Sequence, residues 1–183
     1  MKLRPLDSTA LLEHVAHWLA RKENYQWLDF GGGKQIVTPA LLKIMTQRDT
    51  HFVRIYDIDE DKPIGIVGLN NVDRTSGSGT LWCVTGESEY RNRGYATSAC
   101  SRFLTLVFRE LGLRSVNTWA VGLEGNPYPH VLERLGFRYY GRRRQCHAID
   151  GHLYDRLYFD LLAREHQEVL AEPPEARAAH LRA

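Results

Sequence analysis

The sequence predicts an α+β protein built on a mixed, mostly antiparallel sheet of about six or seven strands flanked by helices. Three observations lead there. Short apolar or alternating runs between 51 and 85 are separated by turn residues and form a meander. A long amphipathic stretch from about Gly94 to Leu111 then lies between two strands, which demands a crossover connection and one parallel pairing. Near the end, Asp150-Gly151 sits between two long strand-like segments, as in a tight hairpin. A doubly wound nucleotide fold would alternate strand and helix from the start, whereas this chain opens with two helices.

Each element has a local reason. Asp7 or Ser8 can cap a helix in which Leu11, Leu12, Val15, Trp18 and Leu19 follow the 3.6-residue period. Thr38-Pro39 is a cap followed by a first-turn proline, opening a second short helix through about Met45. His51–Ile58 and Ile64–Leu69 read as strands around a turn at Asp59-Glu60-Asp61-Lys62, and Leu81–Thr85 as a third after Thr75–Gly79. The long helix buries Ala96, Cys100, Phe103, Val107 and Leu111 on one face and is stopped by Gly112. Leu113–Val121 is a strand, Asn126-Pro127 caps a short helix ending at Gly136, and Phe137–Ile149 with His152–Leu162 form the hairpin. The expected organisation is a single domain over 1–165, followed by a helical or frayed tail over 166–183.

Composition limits what the protein does. A chain of 183 residues can bury roughly 70% of its surface, enough for one core without staples. Its charge, 24 − 22 = +2, is too balanced to make nucleic acid the expected partner. Arg138, Arg142, Arg143 and Arg144 form a modest patch that would need salt-sensitive binding to count. Three scattered cysteines suit neither a disulfide framework nor a zinc ribbon. Eight histidines contain no His-x-x-x-His pair with a third ligand, so no metal is expected. No apolar run follows Met1-Lys2-Leu3-Arg4-Pro5 and none is long enough for a membrane span, so the expected location is the cytoplasm, with no membrane partner.

The chemistry concentrates in Val84-Thr85-Gly86-Glu87-Ser88-Glu89-Tyr90-Arg91-Asn92-Arg93-Gly94-Tyr95-Ala96-Thr97. A strand ends, a turn passes, and Arg-x-x-Gly-x-Ala opens a helix. The first N–H groups of a helix lack intrahelical partners and carry the positive end of its dipole, so this turn suits a pyrophosphate. The plain alternative is a loop entering a helix.

This segment resembles the acetyl-CoA motif of the GNAT superfamily of N-acetyltransferases. The resemblance runs from about Leu3 to Glu165. It includes Leu3-Arg4-Pro5-Leu6 as an opening strand, Pro63–Leu69 as part of the central hairpin, and Val131-Leu132-Glu133-Arg134-Leu135-Gly136-Phe137 before the final hairpin. Asp150-Gly151 and Tyr154-Asp155 are similar to the branch that acetylates ribosomal-protein N-termini, spermidine and some antibiotics. The resemblance implies a V-shaped splay between the strands ending at Thr85 and Val121. Pantetheine would pair with the edge of Trp82, Cys83 and Val84, the pyrophosphate would sit on Arg91, Asn92, Arg93, Gly94, Tyr95, Ala96 and Thr97, and Asn126 would join the cosubstrate site. The side chains of Trp82 and Val84 read as core packing. Cys83 invites comparison with a nucleophile, but the family's transfer is direct. A homodimer through the terminal hairpin follows from fold analogy alone.

The catalytic groups depart from the family. A primary amine of pKa about 10.4 is neutral in roughly one part in 2,500 at pH 7, a penalty of about 4.6 kcal/mol, so a base or a desolvated site is useful. Where many members carry a glutamate before the phosphate turn this chain has Leu81, and where many carry a tyrosine in the later signature it has Leu132. A serine of the N-terminal-acetylating branch is replaced by Tyr128, and Asn126 lies one residue nearer the signature glycine than usual. Tyr128, between Pro127 and Pro129, is a candidate acid for the leaving thiolate or a packing residue over the cosubstrate. Glu87 and Asp29 are candidate bases, direct or through water, with Glu87 and Glu89 reading also as solvated turn residues.

The stretch Trp27–Lys34, aromatic and then glycine-rich, reads as a flap over the acceptor or a surface loop. Glu23 and Asp29 beside Tyr25, Trp27 and Phe30 favour a cationic amine acceptor, a small molecule or a peptide N-terminus. The competing reading is an acyl-CoA-binding sensor or scaffold without turnover.

Overall fold

The computed structural model describes residues 1–30, 37–58 and 62–169. The glycine run and Lys34 of the expected flap, three residues of the expected turn at 59–62, and the tail from 170 onward lie outside the described residues.

Seven strands form one sheet: β1 (Lys2–Arg4), β2 (Phe52–Asp57), β3 (Pro63–Asp73), β4 (Ser78–Thr85), β5 (Ser115–Val121), β6 (Arg138–Ile149) and β7 (His152–Leu162), in the order β1-β2-β3-β4-β5-β7-β6. Every neighbouring pair is antiparallel except β4 and β5, which are parallel. That pair is joined by α4 (Tyr95–Glu110), the crossover that the long amphipathic stretch requires.

Both faces are covered. Ala99, Cys100, Phe103, Leu104 and Val107 of α4 bury one face against Val67, Leu69, Val116, Phe159 and Leu161, with α5 (Tyr128–Arg134) beside them. On the other face, α1 (Thr9–Ala20) and α3 (Pro39–Thr46) pack Leu12, Val15, Trp18, Leu19, Leu42 and Met45 on Ile55, Ile66, Trp82 and Val84. The Ser8 hydroxyl accepts from the Leu11 N–H and the Thr38 hydroxyl from the Leu41 N–H, so both caps form as their sequences predict. Gly68 leaves room for the Trp82 ring: a Cβ there would lie 2.9 Å from it.

Some boundaries differ from expectation. β1 has three residues, too short for an alternating pattern, and forms by pairing with β2, where Arg4 makes an ion pair with buried Asp57. The four-residue α2 (Lys22–Tyr25) has too few turns for a periodic signal. β3 continues beyond Leu69 to Asp73 through a bulge at which Asn71 adopts a left-handed φ of 52°. The hairpin turns with Asp150 and Gly151 at φ of 52° and 78°, as a type I′ turn requires. Past Leu162, the first residues of the expected tail return to α4. The His166 ring and the Thr105 hydroxyl lie 2.8 Å apart, and the Val169 N–H donates to the Ser101 hydroxyl at 2.7 Å.

The feature that makes a site is a break in pairing. β4 pairs with β5 only through Ser78–Ser115, Gly79–Val116 and Thr80–Asn117. Beyond that point β4 stays with β3 to Thr85, and β5 stays with β7 to Val121. The two strands therefore part in the middle of the sheet.

Candidate active site

The parting strands open into a cleft of about 380 Å³ that runs through the sheet, within the range of ligand sites. Thr118 closes its apex, its hydroxyl donating to the Leu81 carbonyl at 2.9 Å. Thr85, at the other end of β4, presents its carbonyl to the Arg91 Nε at 3.3 Å. Peptide groups alternate in direction along a strand, so the Cys83 N–H and C=O project into the same gap between these two. The cleft thus holds a strand edge with no neighbouring strand.

At the mouth, Asn92 and Gly94 take left-handed φ values of 60° and 83° and swing the chain into α4. Gly94 has no side chain to cap the helix, and its carbonyl receives the Ser98 N–H at 3.1 Å. The N–H groups of Tyr95, Ala96 and Thr97 are left at the positive end of a 16-residue helix, on the cleft wall. The Arg91 guanidinium does not point to this turn: it donates to Glu23 Oε1 at 2.8 Å and Asn24 Oδ1 at 2.9 Å, tying the turn to α2. Arg93 is exposed and is not part of the lining.

On the α4 side of the gap, the Tyr128 hydroxyl lies 3.4 Å from Thr118 Oγ1. Thr118 spends its one proton on Leu81, so in that pair Tyr128 is the donor. Burial, reinforced by the neighbouring Cys100 and Cys83 thiols, holds the Tyr128 phenol well above its ordinary range and keeps it protonated. Asn126 anchors this corner, donating to the Val121 carbonyl at 2.8 Å and accepting from the Tyr128 N–H at 3.1 Å. The Cys83 sulfur has the Tyr56 hydroxyl at 4.0 Å. That phenol bonds Thr85 Oγ1 and the Val84 carbonyl, and burial raises it well above its ordinary value, so it is no base for the thiol.

On the opposite side, α2 and residues 26–30 form the wall. Phe30 meets Trp82 edge-on at 5.1 Å, and the Trp82 indole donates to Asn70 at 3.0 Å. Asp29 lines the cleft with its Oδ2 2.8 Å from an Arg156 nitrogen.

Of the sequence-predicted residues, the cleft gathers Asp29, Trp82, Cys83, Val84, Arg91, Asn92, Gly94, Tyr95, Ala96, Thr97, Asn126 and Tyr128. Glu87 is placed elsewhere: its carboxylate accepts from the Trp18 indole at 2.8 Å and faces His14 at 3.6 Å, outside the lining. The turn after β4 lies directly against α1: a Cβ on Gly86 would come within 2.0 Å of the Trp18 ring, so only glycine allows this contact. Glu23 and Asp29, the carboxylates expected beside the acceptor, each face an arginine. Sequence reasoning missed Asn70, Asn71, Trp119 and Arg156. Nothing local singled out Arg156, because its strand also carries Asp155 and Asp160. Among the described residues no group of three or more His, Cys, Asp or Glu side chains is placed to hold a metal ion, and no helix is long and apolar enough to cross a membrane.

A mixed sheet split between its parallel strands, with a glycine turn feeding a helix at the mouth, defines the acyl-CoA transferase architecture that the motif implies. Residues 1–138 match the family described as the acetyltransferase (GNAT) domain, and the chain belongs to that family. It is 33% identical over 104 residues to a Bacillus subtilis protein named "Putative ribosomal N-acetyltransferase YdaF", covering 55% of this chain and 54% of that protein. It is 28% identical over 108 residues to "Uncharacterized N-acetyltransferase p20" of Bacillus licheniformis, covering 59% and 60%. The matched stretch thus spans about half to three-fifths of these curated relatives. In fold it is similar to the Vibrio cholerae spermidine N-acetyltransferase solved with CoA and spermine, with a TM-score of 0.78 at 17% identity over 90% of this chain and 96% of that one. A structure named "Probable acetyltransferase" superposes with a TM-score of 0.71 at 22% identity, over 89% and 93%.

Proposed function

We propose that this chain is an acetyl-CoA-dependent N-acetyltransferase that moves an acetyl group directly to a primary amine, on a small molecule or a peptide N-terminus. The observation that carries the proposal is the free Cys83 edge inside the β4–β5 gap, with the start of α4 at its mouth. The cleft fits the cosubstrate: a strand edge for the amides of pantetheine, and the N–H groups of Tyr95, Ala96 and Thr97 for a pyrophosphate. Bound acetyl-CoA supplies the acetyl group as a thioester. Arg91 supports that turn from behind, through Thr85, Glu23 and Asn24.

Tyr128 is the proposed acid. Its protonated phenol sits by the gap, anchored through Asn126, and can turn from Thr118 to protonate a departing thiolate. A dedicated base is less supported. Leu81 occupies the position of the familiar glutamate, Glu87 is held by Trp18, and Asp29 already accepts from Arg156. We therefore assign deprotonation of the amine to solvent in the open cleft. Cys83 has no base beside it, which favours direct transfer.

The described cysteines are all unpaired, which supports a reducing compartment such as the cytoplasm. A homodimer through β6 is supported by its place at the sheet edge and its exposed Tyr139 and Tyr140, and sedimentation tests it. The arginine patch is partly neutralised, Arg138 by Glu165 and Arg142 by Asp155, which weighs against nucleic acid.

The test is free-thiol release from acetyl-CoA across a panel of primary amines, with product masses. Acetylated amine is expected. CoA binding without turnover on any amine would instead establish the sensor reading.

A further inference from the structure

On the α2 side of the cleft, Arg156 of β7 engages the two lining groups that a cationic substrate would be expected to use. Its guanidinium lies over the Trp119 ring, 4.0 Å from the centroid, and donates to Asp29 Oδ2 at 2.8 Å. Trp119 and Asp29 both line the cleft, while Arg156 stands behind them, its side chain 14% exposed. One protein cation thus takes an aromatic face and a carboxylate that together would recognise an ammonium group.

The arrangement is braced. Buried His147 accepts from Arg156 through Nδ1 at 3.0 Å, and its Nε2 lies 2.6 Å from the Gln26 carbonyl. A carbonyl only accepts, so Nε2 carries the proton and the ring is the neutral tautomer with Nδ1 open to Arg156. Arg156 is therefore pinned by Asp29, Trp119 and His147 at once. The other carboxylate of the lining, Glu23, faces Arg91 at 2.8 Å. Among the described residues, both acids of the cleft are matched by arginines, and the α2-side wall otherwise presents uncharged side chains, among them Trp27, Leu28, Phe30, Trp82, Asn70 and Asn71.

We infer that Arg156 is a specificity-determining residue that excludes polycationic acceptors, leaving a site for an amine on an uncharged, aromatic or amide-bearing body. This rests on the acetyltransferase reading and narrows its acceptor class. A second or third ammonium on the substrate would meet a carboxylate whose charge Arg156 already neutralises from behind, whereas an uncharged body loses nothing by its presence.

The experiment compares phenylalaninamide, a monoamine, with spermidine, a triamine, on the full chain. For the wild type, kcat/KM with phenylalaninamide should exceed that with spermidine by about tenfold or more. Arg156→Met, which keeps the packing on Trp119 but removes the guanidinium paired with Asp29, should raise the spermidine value relative to phenylalaninamide by about tenfold, with KM for acetyl-CoA within about twofold. Arg156→Lys should keep the wild-type preference, and Arg156→Gln replaces the Met variant if that does not fold. Calorimetric titration of spermidine into the CoA-loaded proteins reads the same selectivity without turnover: binding should be gained when the cation is removed. If no amine turns over, the acetyltransferase reading fails and the titration alone decides this inference. A wild type that prefers spermidine, equal changes for both amines, or no gain of spermidine binding would overturn it. So would an Arg156→Lys variant that takes spermidine as readily as the Met variant.

Discussion

Thr118 and Leu81, one residue beyond the last paired positions of the parallel strands, are joined by a hydrogen bond from the hydroxyl of one to the carbonyl of the other at 2.9 Å. This single side-chain bond replaces the ladder bond that the parting strands no longer make. It also sets which way the Tyr128 proton points, because the Thr118 hydroxyl has only one hydrogen to give.

Thr118→Val keeps the shape and removes the donor, leaving the buried Leu81 carbonyl without its partner. The expected cost is about 1–3 kcal/mol of stability. Chemical denaturation measures it, and an unchanged midpoint would show that water satisfies that carbonyl.

CoA should raise the melting temperature, by the equivalent of about 2.7 kcal/mol at a hundred times its Kd. Gly94→Glu should abolish that shift. It sets a strained φ and a negative charge at the start of α4, where the pyrophosphate is proposed to lie. A folded Gly94→Glu protein that binds CoA normally refutes the phosphate assignment.

Tyr128→Phe should leave the fold and most CoA affinity intact while lowering kcat by about 10²-fold, the lower range for a general acid. Full turnover at saturating substrates would reduce Tyr128 to packing. Glu87→Gln should instead leave kcat within about twofold, since its carboxylate serves the Trp18 indole. A loss comparable to that of Tyr128→Phe would return Glu87 to the mechanism.

Stability should fall in acid through His147. Burial first, and then Arg156, hold its imidazole below the ordinary value of 6.5, against the opposing pull of Gln26 and Asp29. The unfolded chain takes up the proton near 6.5 while the native protein resists it. This contribution is therefore complete above 6.5 and is lost as pH falls from there through the lowered native value. The slope is at most about 1.4 kcal/mol per pH unit for this one proton. Comparing denaturation midpoints between pH 8 and 5 for the wild type and His147→Gln checks it. Identical pH profiles would remove His147 from the account. His51 and His166, both lowered by burial, supply a background of the same sign in both proteins.

The amine titrates in the opposite range. With solvent as the base, kcat/KM for a simple alkylamine should rise about tenfold per pH unit from about 6 toward 9, following the free amine. A plateau beginning near pH 7 would reveal a dedicated base in the cleft.

What the sequence determined by itself are the features whose causes lie within a few residues. Ser8 and Thr38 cap their helices, Gly112 ends α4 at a φ of 65°, Asp150-Gly151 turns the hairpin, and Gly94 bends the chain into α4. Hydrophobic period and turn chemistry are local, so the α+β order, the crossover and the family motif were legible. Charge partners were not. Arg91 meets Glu23 across 68 positions and Arg156 meets Asp29 across 127, and no spacing rule connects residues so far apart. Only the folded sheet decided that two apparently available carboxylates are committed, that Glu87 turns to Trp18, and that Thr118 rather than a strand closes the cleft. The physical reason is that a side chain's electrostatic role depends on which charges packing brings within about 4 Å, and that distance is set by tertiary structure rather than by position in the chain.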